Sequence, residues 1–164
     1  KMYFSDNGRD WLGDDSPSCE LNLVEKEGSF YGYPYKHAKN IIDPKFGYHE
    51  TSIGKEFVDP IAELGPHVAP LGISFYDAEV FPEKYHNGIF IALHGSWNRT
   101  KKSGYKVIFV KLDKEGNYLY QEDFITGWLQ DENSWGRPVS PFVMNDGSLL
   151  ISDDKHNVLY RVTY

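Results

Sequence analysis

The residues best suited to chemistry lie in three polar stretches, NGRDWLGDDSPS (7–18), HGSWNRTKKSG (94–104) and GWLQDENSWGRP (127–138). Together they hold all four tryptophans, Trp11, Trp97, Trp128 and Trp135, with Arg9, Arg99 and Arg137. A guanidinium pairs with carboxylates and stacks on rings, so Trp beside Arg suits a flat, anionic, aromatic ligand. The same residues have a plain structural use, with Trp capping sheets and each Arg satisfying backbone carbonyls or a neighbouring Asp. The first stretch adds a second chemistry. Asp6, Asp10, Asp14, Asp15 and Glu20 offer hard oxygens around glycines, the donor type that calcium takes. Gly8 beside them lets a metal or ligand approach main-chain carbonyls. The spacing is not that of an EF-hand, and a solvated acidic loop accounts for the same residues.

The histidines at 37, 49, 67, 86, 94 and 156 are scattered without ligand spacing, which argues against zinc. His94, at the end of an apolar run, is the strongest candidate for site work, and His67 in GPHVAPLG is next. No Gly-x-Ser-x-Gly, P-loop or dinucleotide fingerprint is present.

These groups need elements to position them, and the composition favours strands. The 164 residues suffice for one domain with a core. Aromatics make up 16%, including 12 Tyr and 10 Phe, and such residues fit half-buried pleated surfaces. A net charge of -7 argues against nucleic acid or an anionic membrane as partner. The single cysteine, Cys19, precludes an internal disulfide. No apolar run is long enough to span a bilayer as a helix. The chain opens on Lys1 with a strand almost at once, as if cut from a longer protein.

Internal repetition organises the strands. MYFSDNG (2–8), IFIALHG (89–95) and LLISDD (149–154) are apolar strands ending in polar groups. Each is followed by a polar loop and a second strand: ELNLVEKEG (20–28), YKVIFVKLDKEG (105–116) and NVLYRVTY (157–164). The first two of these end in the same Lys-Glu-Gly turn. GISFYDA (72–78) and PVSPFVM (138–144) precede the later copies, the latter leading into an Asp-Gly hairpin turn at 146–147, and YLYQEDFI (118–125) supplies a fourth strand. Four-stranded antiparallel units repeated along a chain describe β-propeller blades, with a β-sandwich as the competitor. The expected fold is therefore all-β, a partial propeller of three blades over 1–35, 72–127 and 138–164, the first lacking its inner strand. Closed propellers have about four to eight blades, so an arc of three calls for a partner, either the missing half or a second copy closing a ring. Residues 36–71 break the rhythm as an excursion of the kind that carries function. Its only helical-looking piece is EFVDPIAEL, interrupted by Pro60.

The ordered motifs MYFSDNGRDWLGDD, GSFYGYPY, LGPHVAPLGISFY, IFIALHGSWNR and WGRPVSPFVMNDGSLLISDD resemble the soluble glucose/sorbosone dehydrogenase family, in its sorbosone-dehydrogenase-like branch. The resemblance covers nearly the whole chain apart from parts of 36–62. It implies a six-bladed propeller that oxidises sugars with pyrroloquinoline quinone (PQQ), held over the rim by calcium. By this resemblance the backbone carbonyls of Gly8 and Arg9 bind the calcium, Arg9 standing where glucose dehydrogenases have Pro. Arg137 matches an arginine that pairs with the cofactor carboxylates. Trp135 replaces a second such arginine, and Arg99 is the nearest cation to a cofactor-contacting lysine. The family's catalytic histidine, which takes the sugar hydroxyl proton, belongs to the N-terminal half, so the resemblance makes this chain the C-terminal half, inactive alone. It also implies periplasmic or secreted placement. The rival from the residues themselves is a noncatalytic propeller module for binding or assembly.

Overall fold

The computed structural model describes residues 1–47, 54 and 56–164. Three antiparallel sheets account for most of it. The first holds β1 (Met2–Asp6), β2 (Ser18–Val24) and β5 (Ala62–Pro66), in the order β1-β2-β5. The second holds β6 (Pro70–Tyr76), β7 (Gly88–Leu93), β8 (Lys106–Leu112) and β9 (Tyr118–Ile125), in chain order. The third holds β12 (Pro138–Val143), β13 (Leu149–Asp153) and β14 (Val158–Val162). Two short hairpins, β3 (Lys36–His37) with β4 (Ile41–Ile42) and β10 (Leu129–Gln130) with β11 (Asn133–Ser134), decorate the connections. Among the described residues there is no α-helix, and a 3-10 turn spans Glu83–Tyr85.

The sheets stack as blades because the middle one is apolar on both faces. Every residue of β7 is buried. Side chains alternate across a strand, so Ile89, Ile91 and Leu93 face the first sheet with Ile108 and Val110, meeting Cys19, Leu21 and Leu64. Phe90, Val107 and Phe109 face the other way, onto Trp128, Leu149 and Ile151. Burying a large apolar side chain contributes about 1.5–3 kcal/mol, so these two interfaces hold the arc together. The inner strands β6 and β12 lie side by side, and β1, at the edge of the first sheet, packs beside β6.

The turns follow from glycine at fixed places. Asp113–Asn117 and Met144–Ser148 make the same turn. In the first, the amide of Gly116 donates to Asp113 O and Asp113 N to Asn117 O; in the second, Gly147 donates to Met144 O and Met144 to Ser148 O. Gly116 and Gly147 have φ of 85° and 80°, which L side chains rarely adopt.

EFVDPIAEL is not helical. Pro60 cannot donate within a helix, and Ala62 and Leu64 alternate into the core of the first sheet. The strand they form, β5, pairs with β2, so the end of the excursion 36–71 belongs to the first sheet. His49 lies outside the described residues.

Candidate functional site

The β1–β2 loop (7–17), the β7–β8 loop (94–105), the β13–β14 loop (154–157) and the connectors β5–β6 (67–69) and β9–β12 (126–137) emerge at one end of the sheets. The antiparallel register dictates this, because each loop joins the same end of its two strands.

Two clusters of polar groups form on this rim. In one, Arg137 reaches across from the third sheet to the second. Its Nε donates to His94 O at 3.0 Å and its Nη2 to Gly95 O at 2.5 Å, with the guanidinium 5.4 Å from the centre of the Tyr105 ring. His94 Nε2 lies 3.0 Å from Asp154 Oδ1. The hydrogen bond with His94 holds the Asp154 carboxyl below its usual range, with the charges of His94 and Arg137 adding to the effect. The strained connector helps shape this cluster. His67 and Ala69 have φ of 57° and 50°, and the carbonyls of Ala69 and Val68 accept from the amides of His94 and Gly95.

The second cluster locks the β1–β2 loop to the β7–β8 loop. Arg99 donates from Nε to Asp14 O at 2.9 Å, from Nη1 to Lys101 O at 2.7 Å and from Nη2 to Asp15 Oδ1 at 2.7 Å. The amide of Thr100 donates to the Asp14 carboxylate, and hydrogen bonds from Thr100 are what lower the Asp14 pKa most. Asn98 Nδ2 donates to Asp10 Oδ1 at 2.7 Å. The His67 ring, buried, bonds through Nε2 to Gly13 O at 2.7 Å.

The remaining acidic residues point elsewhere. Glu20 is buried beneath the excursion, accepting from Asn22 Nδ2 at 3.0 Å and from the amide of Ala38 at 2.6 Å. Burial raises its pKa, and that of Asp6, its partner across the β1–β2 ladder. Arg9 turns its side chain toward the buried carboxylate of Asp43, which also accepts from His37 Nε2 at 2.8 Å and from the amides of Lys45 and Phe46. Burial alone would raise the Asp43 pKa, but the hydrogen bonds from His37, Phe46, Arg9 and Lys45 outweigh it and hold the group far below the carboxylate range.

Of the residues the sequence singles out, the structure thus brings together His94 with Arg137, and Asp14 and Asp15 with Arg99. It does not gather Asp14, Asp15 and Glu20. Among the described residues no three His, Cys, Asp or Glu side chains converge as metal ligands. The backbone at Gly8 is tightly packed, since a Cβ there would stand 3.0 Å from Pro17 O and 3.1 Å from Ser18 O. Trp135 lies against His156 and the buried Trp128 and donates from Nε1 to Gly127 O at 2.7 Å. Sequence reasoning missed Asp154, Tyr105 and Asp43. Asp154 was legible as the polar end of LLISDD, but Asp43 sits in the excursion, where no repeat marks it.

A family model described as TrAA12-like matches residues 12–163. An uncharacterized protein of Borreliella burgdorferi is 42% identical over 166 residues, covering 100% of this chain and 44% of its own length. The chain therefore spans less than half of that relative. A pyrroloquinoline quinone-dependent pyranose dehydrogenase of Coprinopsis cinerea is 42% identical over 63 residues, 38% of this chain and 8% of that protein. The solved holo form of the pyranose dehydrogenase PQQ domain from Coprinopsis cinerea matches with a TM-score of 0.73 at 21% identity, covering 98% of this chain and 49% of that one. The calcium structure of the Trichoderma reesei Carbohydrate-Active Enzymes Family AA12 protein matches with a TM-score of 0.70 at 22% identity, covering 96% and 46%. These likenesses show the fold: all-β, with the blades of a PQQ-domain propeller.

Proposed function

The chain belongs to the TrAA12-like family, and on that premise we propose that it is the C-terminal half of a PQQ- and calcium-dependent sugar or aldehyde dehydrogenase. One observation carries the reading. Arg137 is anchored on the loop rim by two carbonyls, over the Tyr105 ring and beside His94 and Asp154. A cation fixed in this way fits a planar polycarboxylate such as PQQ, because its side-chain entropy is already spent and one planar fork serves a carboxylate.

PQQ, when bound, supplies the two-electron acceptor for the substrate carbon. In this chain Arg137 would hold the cofactor carboxylates, and the carbonyls of Gly8 and Arg9 would hold calcium. The acidic side chains do not fit a calcium cage of their own, so the metal falls to backbone oxygens. Three of the five N–H donors of Arg99 go to Asp14 O, Lys101 O and Asp15 Oδ1, so Arg99 staples the two loops and would offer the cofactor only its remaining donors. Trp135 leaves Arg137 as the single arginine of that clamp. His94 is oriented by Asp154, while the base that accepts the sugar proton comes from the N-terminal blades, so the chain alone is inactive. Those blades are the partner this reading requires, and periplasmic or secreted placement goes with it.

The test is a PQQ titration with calcium, followed by absorbance and calorimetry, on this chain alone and mixed with an N-terminal half. Binding is expected in the mixture and abolished by Arg137→Ala with the fold intact. Cofactor affinity unchanged by that substitution overturns the assignment.

The stapling of Arg99 between two loops and the dispersed acidic residues favour a second reading, a noncatalytic propeller module that binds or assembles, with a second copy closing the ring. No PQQ binding in either sample, with a dimer in light scattering, would select it.

A further inference from the structure

Three consecutive residues on the loop rim are each tied to a different part of the chain. Gly8 backs onto the far end of its own loop, where a Cβ would stand 3.0 Å from Pro17 O, and its amide donates to Cys19 Sγ at 3.4 Å. Arg9 reaches the Asp43 carboxylate in the excursion. Asp10 Oδ1 accepts from Asn98 Nδ2 at 2.7 Å, in the β7–β8 loop. A polar surface loop is ordinarily among the least restrained parts of a fold, so three ties on three neighbours exceed what a turn requires.

The tie from Arg9 ends on a rigid anchor. Asp43 Oδ1 accepts from the amides of Lys45 and Phe46, and Oδ2 lies 2.8 Å from His37 Nε2. Its backbone is pinned as well, the amide donating to Tyr35 O and the carbonyl accepting from Gly47 N, both at 2.8 Å. The carboxylate is fully buried, while the Arg9 side chain is 31% exposed. Without Arg9 the carboxylate keeps its other three donors, so the fold has little need of the guanidinium. What the pair adds is position, since ion pairs of this kind fix one arrangement better than they raise stability. The backbone so held has groups to offer. Among the described residues the half-buried carbonyls of Gly8 and Arg9 accept no hydrogen bond, although such groups ordinarily find a partner. Gly8 also lines a cavity of about 100 Å³, shared with Asp10 and His67, with room for a cation and water. Carbonyl oxygens are donors that a hard cation takes, and the rigidity of the site tunes its affinity.

We infer that the Arg9–Asp43 pair is the device by which the excursion holds the Gly8–Arg9 backbone in place for a divalent cation, with the Arg9 side chain and Asp43 as positioning groups. The inference rests on the reading above for the identity of the cation, calcium, and on the three ties for the held loop.

Backbone order and calcium affinity, measured on Arg9→Ala and Arg9→Lys beside the unsubstituted chain, test it. NMR relaxation of the chain alone should give amide order parameters over 7–10 of about 0.85, falling below about 0.6 in Arg9→Ala and recovering in Arg9→Lys, which keeps a cation for Asp43. Calorimetric titration with calcium, in the mixture with the N-terminal half and PQQ, should find affinity about tenfold weaker in Arg9→Ala and within about threefold in Arg9→Lys. Order parameters unmoved by Arg9→Ala overturn the inference, and so does calcium affinity that holds while they fall. Calcium bound by none of the three proteins, with order lost only in Arg9→Ala, would uphold the tie and sink the calcium reading instead.

Discussion

Arg9 and Asp43, 34 residues apart, form an ion pair that ties the loop after β1 to the turn after β4. The Asp43 carboxylate is fully buried and takes four donors, from Arg9, His37, Lys45 and Phe46. Breaking a buried pair from one side leaves charges and amides unpaired, at about 3–5 kcal/mol. Asp43→Ala is therefore expected to destabilise by that amount in urea unfolding. Arg9→Ala should cost about 1 kcal/mol, because Arg9 is partly exposed and Asp43 keeps its other donors. Asp43 has a depressed folded pKa, so its stabilisation is present above the ordinary aspartate value and lost only as pH falls through the lower, folded one. Unfolding measured down the acid limb should show Asp43→Ala losing less stability with falling pH than the unsubstituted chain.

Glu20 carries the opposite sign. Its pKa is raised by burial, so folding takes up a proton above the ordinary value of 4.5, and stability falls as pH rises through the folded pKa. Asn22 Oδ1 beside it has no hydrogen-bond partner among the described residues. Glu20→Gln removes the buried charge, still accepts from the Ala38 amide and, if the Asn22 amide turns over, donates to that unpaired oxygen. It should stabilise the chain by about 1 kcal/mol at neutral pH and almost not at all below pH 4.5. Urea midpoints at the two ends of that range check this; an equal effect at both would show that burial of charge is not the cause.

Arg99 staples loops where Arg137 presents a cation, so their substitutions should separate. Arg99→Ala is expected to speed amide exchange across 10–15 and 97–103, where its donors and the Asp14–Thr100 bonds lie. PQQ affinity in the reconstituted protein should change by less than about threefold, against complete loss in Arg137→Ala. A loss in Arg99→Ala as large as in Arg137→Ala would place Arg99 against the cofactor instead.

Strands in the repeats were legible because period-two apolar patterns and Gly-punctuated turns are local signals, and YLYQEDFI forms β9 residue for residue. The rim was legible too, since an antiparallel ladder fixes which loops share an end. What failed to show was pairing between distant charges. Nothing in the sequence told Arg9 to seek Asp43, or Arg99 to pair with Asp14 and Asp15, because those contacts depend on how two loops cross. The strand β5 was hidden for another reason. Its Ala-Glu-Leu is a good helix former, and only burial of Ala62 and Leu64 against the second sheet overrides that propensity.

The inner strands β6 and β12 approach closely at Gly72, where a Cβ would stand 2.6 Å from Ser140 Cα and 2.7 Å from its Cβ. No rotamer change relieves a clash with backbone, so Gly72→Ala must push the second and third sheets apart along their shared inner edge. Overpacking of this kind costs about 1–3 kcal/mol. For a chain of this size each kcal/mol lowers Tm by about 2–4 °C, so a drop of about 3–10 °C is expected. Ser140→Gly removes the Cβ and hydroxyl but leaves Cα in place, and in the Gly72→Ala background it should recover part of the loss and not all of it. A double-mutant cycle read by thermal unfolding checks this. Additive effects would mean the two positions do not touch, and would reject this account of how adjacent blades approach each other.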